Sequence, residues 1–226
     1  AVLSVRRSFT TIKAIINLAI AEHGLDIPNP FSAIYMPEAD SKKRVSIPVN
    51  TIRQIQRSCI KHDDDIRWLV ALISDTGMRL AEAARLHLDD LKLDEDIPCV
   101  DIKPHPWRSL KTKGSQRQVP LVGASLWAAQ RIKANTSSCF AFDRYTDNSR
   151  CNANSASNAL NKWMQANFRD DIVMHGFRHA MRDRLRAVSC PSEMIDQIGG
   201  WSSGKIGEGY GEGFDLRSVA NRLEQI

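Results

Sequence analysis

The stretch HGFRHAMRDRLR, residues 175–186, gathers two histidines and four arginines. Further on, GGWSSGKIGEGYGEG (199–213) carries Tyr210, one of only three tyrosines in the chain. A guanidinium offers a planar fork that fits two phosphate oxygens, and an imidazole trades protons near neutral pH. A phenol held beside such groups can act as a nucleophile toward phosphorus. Two earlier stretches add cations. DTGMRLAEAARL (75–86) places Arg79 just after a glycine, with Glu82 three residues on as an orienting partner. SLKTKGSQRQVPL (109–121) places Lys111 and Lys113 around a turn, two apart, so that on a strand both would point to one side.

Each stretch has a plainer reading, and in isolation the plainer one is stronger. Arg79 and Glu82 would make a surface ion pair, although an arginine at a helix start opposes the helix dipole. Arg182, Arg184 and Arg186 would extend Arg178 into a solvated basic face. Lysines beside turns are usually solvated, Trp201 could be core packing, and Tyr210 a surface aromatic. The glycines around Tyr210 do not match the G-x-G-x-x-G spacing of a dinucleotide loop after a strand, which excludes that site.

A scaffold for these residues is legible in the periodicity. The 226 residues, 42% hydrophobic and 25% charged, suit one full domain with a small appendage. Apolar residues at helical spacing (Val5, Phe9, Ile12, Ile15, Ile16, Ala19) predict a helix over 4–22. Four prolines and SKKR then predict an extended connector over 27–48. Helices are expected at 50–60, 65–76 (Ile66, Leu69, Val70, Leu72 and Ile73 inward), 80–86, 123–134, 156–168, 176–188, 192–198 and 215–225. Short, partly alternating runs at 97–103 and 107–121 predict a small antiparallel sheet. The fold class expected is mostly α with that sheet (α+β).

In order along the chain, these pieces resemble the tyrosine recombinases, the phage-type integrases. The family's T-G-x-R-x-x-E-x-x-x-L is met by TGMRLAEAARL. Its lysine in a turn before R-x-V-P-L is met by KTKGSQRQVPL, and its H-x-x-R-H by HGFRH. Its G-H or G-W, nine residues before the nucleophilic tyrosine, is met by Gly200-Trp201 and Tyr210. The resemblance implies a DNA breaking–rejoining catalytic domain over 48–226. It makes 1–47 the closing helix and linker of a core-binding domain, and with only that remnant the chain by itself would bind DNA weakly.

Roles follow from the same resemblance. Arg79 and Arg178 would clamp the scissile phosphate, with Trp201 in support. His175 would take the phenol proton, Tyr210 would attack phosphorus, and Lys111 would protonate the leaving 5′-oxygen, with Lys113 as the alternative. Lys113, Arg117 and His179 would contact DNA. No metal and no cofactor is implied. The partners implied are double-stranded DNA at attachment sites, three further copies in a homotetramer, and accessory DNA-bending or directionality proteins, with no membrane. Tryptophan in place of the commoner histidine at 201 and the glycines around Tyr210 depart from the pattern.

Two rivals share parts of this set. A DNA-binding protein that lost catalysis has no use for a nucleophile, and a type IB topoisomerase is disfavoured by the integrase-like residues 1–47. The net charge of +5 fits nucleic acid without requiring it. Five widely spaced cysteines without a C-x-x-C pair suggest free thiols. With no signal-peptide pattern and no long apolar run, the expected location is the cytoplasm, at the nucleoid.

Overall fold

The computed structural model describes residues 2–35, 46–147, 150–201 and 213–226. Residues 1–44 and 45–226 form two compact units. In the first, α1 spans Val2–Glu22. The chain then turns back along it, because Asn29 donates to the Lys13 carbonyl at 3.0 Å and to the Asn17 side chain. Asn29 Oδ1 in turn accepts from Phe31 N, and Lys13 Nζ reaches Ser32 O. Phe31 lies 6.0 Å from Phe9, so the first part of the expected connector is a folded turn rather than an extended strap. Proline periodicity missed it because one asparagine satisfies the turn.

The second unit is built around α3, Asp65–Thr76, with every residue from Trp68 to Thr76 buried. Asp64 caps its start by accepting from Arg67 N, and Ser74 and Thr76 bond back to carbonyls of their own helix. A helix buried on all sides needs such internal satisfaction of its polar groups. Packed on α3 are α2 (Val49–His62), α5 (Gly123–Asn135) and α7 (His175–Ala187). The short α4 (Leu80–Ala84) faces α6 (Ala153–Asn167). Next to the sheet stand α8 (Ser192–Gly199) and α9 (Leu216–Leu223), both against its third strand.

That sheet is antiparallel, β1 (Leu91–Lys92), β2 (Cys99–Ile102) and β3 (Arg117–Pro120), in that order. Val100 pairs with Val119 and Ile102 with Arg117. The architecture is the expected one, mostly helical with a small antiparallel sheet, and the expected helices fall within a few residues of those observed.

Two local expectations fail. Residues 107–115 are not a strand: His105 and Arg108 form an isolated bridge, Lys111 lies in a bend, and Lys113–Ser115 is a 3-10 turn. Trp107, counted there as a strand residue, instead stacks on His105 at 4.6 Å beside His87 and Phe140. Nor is the arginine face of α7 solvated throughout. Arg184 is buried, donating to Ser74 O and to Asp75, whose carboxylate also accepts from Ala124 N. That ion pair ties α7, α3 and α5 together.

Candidate active site

Gly77, with φ of 61°, ends α3 in the left-handed region and turns the chain so that Arg79 opens α4. The Arg79–Glu82 pair suggested by their spacing forms. Arg79 N donates to Glu82 Oε2 at 2.9 Å and its guanidinium to Oε1 at 2.5 Å. The same guanidinium reaches Ser115 Oγ at 3.1 Å and Gly200 O at 3.3 Å. An arginine that the dipole disfavours is thus held by a carboxylate on its own helix.

Glu82 has a second partner. Arg117 donates to its Oε2 at 3.0 Å, to Ile198 O at 2.8 Å and to Ser115 O at 2.7 Å. Burial pushes the Glu82 carboxyl up, but Arg117 and then Arg79 outweigh it and hold the group below its ordinary range. Losing this shared carboxylate would strand two guanidinium groups, at a cost of about 3–5 kcal/mol. Arg117 was expected on DNA. In the structure Arg117 is buried beside Glu82, with Nε, Nη1 and Nη2 each donating to protein.

Arg178, 3% exposed, donates to Gly77 O at 2.8 Å and to Gly199 O. Its guanidinium lies 4.4 Å from the Trp201 ring centroid, and Arg182 lies 4.9 Å from the same ring. Such contacts strengthen with desolvation. Burial, then the neighbouring Arg79 and Arg117, push Arg178 down to about 9. It keeps its charge at neutral pH, in a place where an anion would relieve the repulsion. Arg182 also donates to Asp196, whose carbonyl accepts from Trp201 N. Sequence reasoning passed over Arg182 and Ser115. Arg117 had a signal: it shares a strand face with the buried Val119 two residues on.

Lys111 and Arg79 line one cleft of about 250 Å³, together with Glu82, Arg85 and Arg108. Lys113 opens the 3-10 turn beside it. His175 and His179 are both exposed on α7, with their rings edge to face at 5.0 Å. Tyr210 lies outside the described residues. The chain on either side of its segment is fastened to α8: Trp201 N donates to Asp196 O at 2.9 Å, and Phe214 N and O bond the Gln197 side chain at 2.8 Å each. Among the described residues, no group of three or more His, Cys, Asp or Glu stands ready to hold a metal. None of the described helices is long and apolar enough to cross a membrane.

At Gly200 a left-handed backbone and a close neighbour coincide. Its φ is +57°, and a Cβ there would stand 2.8 Å from Arg117 Nη1. Gly200→Ala is expected to destabilise the fold by about 2 kcal/mol or more, from left-handed strain plus displacement of Arg117. Thermal melting should fall by roughly 4–8 °C, whereas Gly114→Ala, with open space around it, leaves the melt unchanged. Equal melts for the two variants would count against this tight approach.

Comparison with known proteins decides the family. The sequence profile described as "Phage integrase family" matches residues 46–214, three-quarters of the chain. The chain belongs to that family. It is a site-specific recombinase domain, an integrase of the tyrosine type. Among solved structures, the integrase of transposon Tn1549 in complex with circular intermediate DNA aligns at a TM-score of 0.68 with 16% identity, over 98% of this chain and 79% of that one. The lambda integrase dimer bound to a COC′ core site aligns at 0.65 with 12% identity, over 99% and 60%. The integrase of mycobacterium phage Brujita aligns at 0.58 with 16% identity, over 100% and 72%. At such identities these likenesses establish the integrase fold alone. No curated protein matches the sequence.

Proposed function

We propose that this domain cleaves and rejoins double-stranded DNA at attachment sites through a 3′-phosphotyrosyl link, for integration or excision of a mobile element. The observation that carries the reading is the grouping of Arg79 and Arg117, both bonded to the one carboxylate of Glu82, with Arg178 beside them, an excess of positive charge suited to a phosphate. Arg79 and Arg178 stabilise the charge that builds on the non-bridging oxygens, and Trp201 supports Arg178 from the side. The Tyr210 oxygen attacks phosphorus as its proton passes to His175. The bond to the 5′-oxygen breaks, and that oxygen leaves as a hydroxyl with a proton from Lys111. Rejoining runs the same steps backwards. Residues 48–226 carry this chemistry, and residues 1–47 are the helix and linker of the core-binding domain. Lys113 and His179 contact DNA beside the cut. Four copies act together on two duplexes in the cytoplasm, at the nucleoid, with accessory bending or directionality proteins setting the outcome.

The reading is tested with nicked suicide duplexes carrying candidate attachment sites. A covalent protein–DNA band on a denaturing gel supports it. Duplex binding with no covalent band on any such substrate supports a DNA-binding protein without catalysis instead. Lys111 and Lys113 separate on a substrate whose 5′-bridging oxygen is sulfur, which leaves without needing a proton. Lys111→Ala is expected to be slow on the oxygen substrate and close to wild type on the sulfur one. That pattern from Lys113→Ala would move the general acid two residues along the loop.

A further inference from the structure

Outside the arginine cluster, the most completely buried large cation is Arg108, 1% exposed. It belongs to no motif, and it precedes Lys111 by three residues. Its Nε and Nη2 both donate to Lys103 O, at 3.0 and 2.7 Å, and Nη1 donates to Arg85 O at 3.3 Å. Nη2 also meets Asp90 Oδ2 at 2.9 Å. Asp90 is wholly buried and holds His105 Nε2 at 2.9 Å, so the His105–Arg108 bridge is pinned from both of its ends.

The partners reveal what is being held. Arg85 is the C-terminal cap of α4, the helix that Arg79 opens. Arg108 therefore fastens the start of the lysine loop to the far end of the Arg79 helix. The close of the loop is fastened to the near end, since Thr112 Oγ1 meets Ser115 Oγ at 2.9 Å and Ser115 Oγ accepts from Arg79. Lys111 lies between the two anchors. A bend without strand pairing has no other fixed geometry, and a general acid must be placed to within a hydrogen bond of its oxygen.

We propose that Arg108 is a positioning residue for the Lys111 ammonium, setting it against the phosphate clamp through Asp90 and the Arg85 carbonyl. The proposal rests on Lys111 being the general acid. The test is single-turnover cleavage of suicide duplexes with a bridging 5′-oxygen or 5′-sulfur, by wild type, Lys111→Ala and Arg108→Gln. Arg108→Gln is expected to slow the oxygen substrate by roughly 10²-fold, the order of loss that an ångström of misplacement causes. Sulfur should restore it to near the wild-type rate, as it restores Lys111→Ala. A general weakening of the fold would slow both substrates alike.

Equal slowing on both by Arg108→Gln, with Lys111→Ala rescued, overturns the proposal and leaves the lysine reading standing. So does wild-type cleavage of the oxygen substrate by Arg108→Gln. Failure of sulfur to rescue Lys111→Ala overturns the lysine reading, and the proposal with it. If Arg108→Gln does not fold, Asp90→Asn removes the opposing charge while keeping the shape. Asp90→Asn is expected to show the same oxygen-selective loss, and the absence of that selectivity overturns the proposal.

Discussion

Tyr210→Phe should yield no covalent protein–DNA complex while leaving duplex affinity within about twofold of wild type, because phosphate contacts by basic residues dominate affinity. The substitution removes one hydroxyl and keeps the ring, so a complete loss of the covalent band has only the nucleophile to explain it. The flanks argue for a clean result. Trp201 is held to Asp196, and Phe214 to Gln197, by bonds that do not involve the tyrosine. A covalent band that survives in Tyr210→Phe removes this residue from the role and sends the search to the other hydroxyl side chains.

Arg178→Ala comes next in size, with cleavage expected to fall by roughly 10³-fold, the loss seen when a donor to a developing negative charge is removed. Arg178→Lys should recover little of it. An ammonium carries the charge, but it cannot span the carbonyls of Gly77 and Gly199 and keep a flat face on Trp201. Cleavage rates and melting curves taken together check this. Near wild-type rates for Arg178→Lys would mean that charge alone suffices and the fork is immaterial.

Much of this arrangement is legible in the sequence because its cues are local. Gly77 marks the end of α3, and the three-residue step from Arg79 to Glu82 signals their pairing. The helices announce themselves by apolar spacing. What escaped depends on distant partners. Arg117 meets Glu82 across 35 residues, Arg178 meets Gly77 across 101, and Arg184 meets Asp75 across 109. No window of sequence tells which of several arginines such a partner will bury. Even so, Arg184 lies seven residues after the buried Phe177, on the apolar side of α7, and that spacing held a clue. Strand β1 escaped because two residues show no alternation, and the lysine loop was misread because Trp107 serves the aromatic cluster instead of a ladder.

The arginines of the site lean mainly on main-chain oxygen: Gly77, Gly199 and Gly200 for the clamp, and Ser115 and Ile198 for Arg117. Side-chain replacement cannot delete a carbonyl. An alanine scan would therefore credit the guanidinium groups and miss the surfaces they rest on. Sequence drift meets the same asymmetry, being free to change most neighbours but not the turns that aim those oxygens. The mutational target of this site is consequently small in side chains and concentrated in backbone shape, at the few positions where a methyl group has nowhere to go.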